Sequence, residues 1–145
     1  MKLTDEWFTA VAEDDNGQTV IIAGRSGIGN FKNSGKFKDR IEITWNYAGG
    51  NMPDEETARQ MEEVCDALKK SVEKNKLAIL TGVYTGGGRR VWVFYTRHNG
   101  AFGETLNASL SAFPLLPISI YAEKDPEWDE YSEIEEMQSP EGEEE

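Results

Sequence analysis

Residues 40–47 constrain the fold of this chain more than any other segment. Large apolar side chains occupy every second position, and Glu42, Thr44 and Asn46 separate them. An alternation of period two is typical of a β-strand with one buried face and one polar face. The apolar set consists of Ile41, Ile43, Trp45 and Tyr47. Other elements must therefore cover this apolar face.

A helix is predicted directly after this strand. Pro53 suits a first helical turn, and the three acidic residues that follow it complement the positive end of the helix dipole. Apolar residues then recur at spacings of three and four, which places them on one side of the helix. They are Ala58, Met61, Val64, Cys65, Leu68 and Val72.

The second half of the chain predicts a hairpin, a helix and a strand. Residues 77–84 and 89–96 are apolar runs joined by a short glycine-rich segment, the pattern of an antiparallel hairpin. Apolar residues at spacings of four, four and three then indicate a helix that ends at Pro114, and residues 117–122 form a last strand. The helix positions are Phe102, Leu106, Leu110 and Phe113.

The first 39 residues predict a further hairpin followed by a loop. Residues 6–13 and 18–24 are apolar runs, and Asn16 and Gly17 between them favour a tight turn. Residues 25–37 are rich in Gly, Ser and Asn, so we expect a loop there.

The order of elements predicts the fold class. From residue 40 the order is β-α-β-β-α-β, the ferredoxin-like plan in which two helices cover one face of an antiparallel sheet. Together with the initial hairpin, this predicts a two-layer α+β domain of about six strands over residues 1–137. Because no apolar side chain follows Met137 that could be buried, we expect residues 138–145 to form a disordered acidic tail.

Charge separates the end of the chain from its body. The net charge is -12, yet residues 123–145 hold twelve of the 27 acidic residues and one of the 15 basic ones. The acidic excess disfavours a nucleic-acid partner or an anionic membrane surface, although that exclusion is weaker for the nearly neutral body. The acidic start of the chain and the absence of a long apolar run predict a cytoplasmic protein.

Few residues offer chemistry. The single cysteine, Cys65, lies on the apolar side of the predicted helix, and the single histidine, His98, lies in a turn-like segment. These counts exclude an intramolecular disulfide, a cysteine-rich zinc site and a histidine-rich metal centre, so we expect no metal and no cofactor. No catalytic constellation emerges from the sequence.

The glycine-rich joint at residues 85–88 is a candidate anion site. Its backbone amides, together with Arg89, Arg90 and His98, would bind a carboxylate or a phosphate. The alternative is a plain hairpin tip, where glycine supplies positive φ and the arginines are solvated. The segment 24–29 also resembles a phosphate loop, but no helix is predicted after it.

Aromatic residues suggest where other contacts form. Trp92 and Phe94 share one face of their strand, but residues 40–47 offer no aromatic platform on their polar face, which disfavours base stacking. Residues 125–131 place Trp128 and Tyr131 among acidic residues. One interpretation is that both dock on the body near Trp92 and Phe94, and the other is that they bind a partner.

These residues also resemble a known family. The chain resembles the bacterial domain-of-unknown-function family 695 in six places. They are Trp7, the strand of residues 40–45, Met52 with Pro53, the glycine-rich residues 81–86, the strand of residues 91–95 and the Asp-Pro-Glu-Trp-x-x-Tyr element of residues 125–131. The resemblance spans roughly residues 5–135. It implies no established activity. Some members are joined to a domain similar to the regulator of ribonuclease E activity, protein B, for which this chain has no counterpart.

The sequence thus favours a small binding or regulatory domain that acts through protein–protein contact rather than an enzyme. An enzyme or binder of small anions at the glycine-rich turn is the alternative. A mimic of nucleic acid that uses fixed carboxylates is a third hypothesis.

Overall fold

The computed structural model describes residues 3–137, so the expected tail at residues 138–145 lies outside the described residues. It is an α+β structure with a six-stranded antiparallel sheet and four helices. The strands are β1 (Glu6–Glu13), β2 (Thr19–Ser26), β3 (Asp39–Asn46), β4 (Ala78–Gly86), β5 (Arg89–Thr96) and β6 (Ile118–Lys124). The helices are α1 (Gly29–Asn33), α2 (Glu55–Glu73), α3 (Asn99–Leu110) and α4 (Asp129–Glu136). No helix within residues 3–137 is long and apolar enough to cross a membrane.

The sheet order is β1-β2-β4-β5-β3-β6, so β5 and β3 lie inside and β1 and β6 form the edges. The alternation in β3 has the predicted effect, because its apolar side chains all point to one side. Helices α2 and α3 cover that side, which we call the first face. Its buried core includes Ile41, Ile43, Trp45, Met61, Val64, Leu68, Leu80, Trp92, Phe94, Phe102 and Leu106.

Helices also cover the opposite side, which we call the second face. Ile79, Val93 and Tyr95 point to this side and pack with Trp128 and Tyr131. The expected two-layer arrangement is therefore incomplete. Strand β5 is apolar on both faces, and both need cover because exposed apolar area is costly.

Two local expectations are corrected by the structure. The expected loop at residues 25–37 contains the end of β2 and the short helix α1, whose Phe31 is buried on the second face. The first hairpin closes through residues 15–17, and Gly17 alone takes positive φ (78°) there. The Asp14 carboxylate accepts hydrogen bonds from the Asn16 and Gln18 amides, which favours this longer turn.

Arg25 forms a buried ionic contact at the end of β2. Its side chain is 2% exposed, and Nη1 donates to Glu73 Oε2 at 2.7 Å and to the Leu80 carbonyl at 3.0 Å. Nε donates to the Thr4 carbonyl at 2.9 Å. A buried charge needs such full pairing, so this arginine joins β2, the end of α2 and β4.

Two glycines make room for α4. The methyl carbon Cγ2 of Ile134 lies 2.7 Å from the position that a Cβ on Gly24 would take, and its Cδ1 lies 2.8 Å from the corresponding position of Gly82. Ile134 is fully buried as a result. Helix α4 therefore packs against the sheet at two positions, Gly24 and Gly82, that carry no side chain.

We predict that Gly82→Ala destabilises the fold by about 1–3 kcal/mol, because the new methyl group overpacks the contact with Ile134. Gly103→Ala is the matched control, since a Cβ there meets nothing within 4 Å and alanine favours a helix. Urea unfolding of both variants measures the difference. Equal stability of the two variants would contradict the seating of α4 on Gly82.

Candidate functional site

The segment after β6 docks on the second face through Trp128. The Trp128 ring stacks on Tyr95 with centroids 4.3 Å apart and an interplanar angle of 22°. Its Nε1 donates to the Phe37 carbonyl at 2.8 Å, which satisfies the polar atom of a side chain that is 1% exposed. The Trp128 backbone is left-handed (φ 58°), and this turn leads the chain directly into α4.

Asp125 holds the same segment from its other end. One carboxylate oxygen, Oδ2, accepts the Tyr95 hydroxyl at 2.7 Å and the Glu130 amide at 3.1 Å, and Oδ1 accepts the Asp129 amide at 2.9 Å. These bonds satisfy free amides at the start of α4, as a capping carboxylate does. Burial, and then the Asp125 carboxylate, raise the pKa of Tyr95.

Tyr131 completes this contact. Its hydroxyl donates to the Arg25 carbonyl, and its ring meets Trp128 edge to face at 5.6 Å. The spacing of the Asp-Pro-Glu-Trp-x-x-Tyr element has a physical reason in this chain. Asp125, Trp128 and Tyr131 each contact Tyr95: Asp125 through its carboxylate, Trp128 through its ring and Tyr131 through its backbone amide.

The expected position of Trp128 near Trp92 and Phe94 is wrong. Trp92 lies on the first face, where it meets Trp45 edge to face at 6.1 Å, and Phe94 packs against Phe102 at 5.3 Å. Neighbouring residues of a strand point to opposite sides, so a segment on the second face contacts Tyr95 instead.

The structure does not bring Arg89, Arg90 and His98 together. Arg90 points to the first face, where Nε donates to Thr85 Oγ1 at 2.9 Å and Nη1 to Glu62 at 3.2 Å. Arg89 is exposed on the second face. His98 lies beyond the other end of β5, where Nδ1 accepts the Ala101 amide and caps α3.

An open concavity of about 550 Å³ lies on the second face beside α4. Its floor is apolar and comes from four strands: Ala12, Val20, Ile22, Tyr84, Val91 and Val93. The rest of the described lining consists of five carboxylates, the Arg89 guanidinium, Asn16, Gly86, Gly87 and Met137. The carboxylates are Glu13, Asp14, Asp15, Glu42 and Glu130, and we call this site the acidic concavity.

The carboxylates of the acidic concavity differ in their surroundings. The Tyr84 hydroxyl donates to Glu130, and Arg40 binds Glu42. Burial raises the pKa of Glu130, and burial followed by the hydrogen bond with Glu130 raises the pKa of Tyr84. Within residues 3–137 the side chains of Glu13 and Asp15 make no hydrogen bond or ion pair, so they are available to a ligand.

The single thiol of the chain, that of Cys65, lies outside the acidic concavity. Cys65 belongs to α2 on the first face, in a smaller groove of about 340 Å³. Burial raises its pKa to about 12, and a neutral thiol is a poor nucleophile. Among residues 3–137 no group of three or more His, Cys, Asp or Glu side chains is arranged to hold a metal ion.

Part of the acidic concavity is marked by patterns in the sequence. Glu42 is a polar position of the alternation in β3, and Asp14 and Asp15 belong to the predicted turn. No sequence pattern marks Glu130 and Tyr84, because their contact depends on how α4 docks. Only the spacing from Trp128 to Tyr131 pointed to that docking.

Comparison with known proteins identifies the family of this chain. The chain matches the Family of unknown function (DUF695) over residues 5–134. It belongs to this family. The matched DUF695 region includes β1 at one end and the docked Trp128 and Tyr131 at the other. No curated protein and no solved structure matches the chain.

For this DUF695 chain we predict that Asp125→Ala lowers the free energy of unfolding by about 3 kcal/mol, since it leaves the buried Tyr95 hydroxyl and two amides without their acceptor. Asp129→Ala removes an exposed carboxylate four residues away and is the control. Urea unfolding followed by tryptophan fluorescence measures both. A loss no larger than that of the control would refute the role assigned to Asp125.

A second prediction concerns Glu130 and pH. Its pKa is raised in the folded protein, so the protonated side chain stabilises the fold at acidic pH and this contribution is lost as the pH rises through the folded-state pKa. Glu130→Gln should therefore raise the melting temperature at pH 7 and change it less at pH 4. Calorimetry across this range, with Glu104→Gln as the exposed control, tests the expectation. A shift that is independent of pH would contradict it.

Proposed function

We propose that this chain is a non-enzymatic protein-binding module whose acidic concavity accepts a basic segment of a partner protein. The observation that carries the proposal is the uncovered part of the second face. There an apolar floor of four strands lies open beside α4, while the rest of that face is packed against Trp128 and Tyr131. An open concave surface of this kind is where binding is expected.

Charge supports a basic partner. Five carboxylates and one guanidinium line the concavity, and the side chains of Glu13 and Asp15 have no partner within the described residues. Opposite charges across an interface speed association and exclude wrong partners. The apolar floor suits the aliphatic stems of lysine or arginine, whose charged ends would then reach the carboxylates.

A small anionic ligand at the glycine-rich turn has weaker support. Gly86, Gly87 and Arg89 do line the concavity, but Arg90 and His98 do not. The five carboxylates would repel an anion there. The proposal therefore includes no nucleic-acid or membrane partner.

We also propose that the part of the fold from β3 to β6 is ferredoxin-like. In its support, β5 lies between β3 and β4, which α2 connects, and β6 pairs with the outer side of β3. A cytoplasmic location is part of the same proposal.

The test uses a capped octapeptide of alternating lysine and valine, titrated by calorimetry. We expect it to bind, and we expect added salt to weaken binding because exposed charges are screened. The double variant Glu13→Gln, Asp15→Asn should bind it about three- to tenfold more weakly, as expected for two rim charges.

The control variant Glu55→Gln, Glu104→Gln removes the same charge from exposed positions on α2 and α3. It should bind the peptide as the unmodified chain does. A glutamate–valine octapeptide should not bind. Equal binding of the two peptides, or equal loss in both double variants, would overturn the proposal.

A further inference from the structure

We infer that the basic segment binds as an added β-strand along the free edge of β1. This inference rests on the proposed function, because it describes how the same partner reaches the acidic concavity. Ala12 and Glu13 belong both to β1 and to the lining of the concavity. A segment on this edge would therefore lie directly beside the site.

The edge offers regularly spaced backbone groups. β1 pairs with β2 over all eight residues without a register shift. The Asp14 amide donates to the Gln18 carbonyl at 2.9 Å, and residues that exchange hydrogen bonds alternate along an antiparallel ladder. Even-numbered residues of β1 thus bind β2. The N–H and C=O groups of Trp7, Thr9, Val11 and Glu13 point outward.

The middle of this edge, residues 7–12, lacks the usual protection against pairing. Residues 6–13 contain no proline and no lysine, and their ladder has no bulge. The opposite edge strand, β6, starts after Pro117 and ends in Lys124, and it lies at the far side of the sheet from Glu13. A basic segment is therefore matched to β1 rather than to β6.

Side chains around the edge also fit such a segment. On the first face Val11 is 69% exposed and Ile21 is 41% exposed, so apolar residues of an added strand would cover them. On the second face Ala10 and Ala12 are small, and Ala12 lines the acidic concavity, which leaves room for long side chains directed into it. Alternating apolar and basic residues satisfy both faces.

Charge favours a basic segment over a second copy of the chain. Asp5 and Glu6 lie at one end of β1, and Glu13, Asp14 and Asp15 lie at the other. Two copies paired antiparallel along β1 would set these two acidic ends against each other, and like charges placed opposite are destabilising. A strand with basic residues meets carboxylates at both ends.

Thr9→Pro tests the edge. It removes an outward N–H and places a ring on the free side, while the hydrogen bonds to β2 are kept, and edge positions of this kind tolerate proline. We expect it to weaken binding of the lysine–valine octapeptide at least about tenfold, because the peptide loses a backbone hydrogen bond and the proline ring blocks its approach. Thr9→Val, which keeps the backbone donor, should bind normally.

Two modified peptides test the same point on the unmodified chain, so the result stands even if Thr9→Pro fails to fold. One peptide carries N-methyl groups on its valines and the other on its lysines, which blocks opposite edges of an extended strand. We expect one to lose binding and the other to keep it, with the N-methylvaline peptide inactive if pairing is antiparallel.

The outcomes separate the two proposals. If both methylated peptides bind like the parent and Thr9→Pro has no effect, the edge inference is overturned. If in that case the Glu13→Gln, Asp15→Asn variant still weakens binding, the proposed function stands without it. If the parent octapeptide does not bind the unmodified chain at all, the proposed function fails and the inference fails with it.

Discussion

The arrangement of the second face depends on the buried carboxylate of Asp125. It accepts the Tyr95 hydroxyl and two amides of α4, and Arg40 Nε, which has no hydrogen-bond partner within the described residues, lies 3.8 Å from it. A carboxylate that is 7% exposed is tolerated only with this number of partners. Because the carboxylate fixes both Tyr95 and the start of α4, it sets where Trp128 stacks and where the open concavity begins.

Local patterns predicted most of the fold. All six strands and the two long helices follow from alternation in β3, from apolar spacing in α2 and α3, and from glycine-rich turns, since each of these signals acts within a few residues. The helix α1 was missed because Phe31 is its single buried residue, and one apolar side chain makes no period. The face on which Trp128 docks was missed because it depends on the partner strand.

The candidate site was harder to predict for the same reason. Its carboxylates come from the first hairpin, from β3 and from α4, so no contiguous motif contains them. The anion site expected at Arg89, Arg90 and His98 was drawn from residues close in sequence. A strand separates such residues, because it sends neighbours to opposite faces and spans about 3.3 Å per residue. The acidic segment after β6 is in part a folded element, with Asp125 buried and Glu130 bound to Tyr84.

The seating of α4 has a consequence for biosynthesis. Tyr131 bonds to Arg25 across 106 residues of sequence, and Trp128 bonds to Phe37 across 91. The N-terminal part of a chain leaves the ribosome first. The sheet and the first-face helices are therefore synthesised before α4. During that interval Ile79, Val93 and Tyr95 lack the cover that Trp128 and Tyr131 give them in the folded protein. A chaperone that shields apolar surface would therefore bind the second face before α4 has emerged and docked.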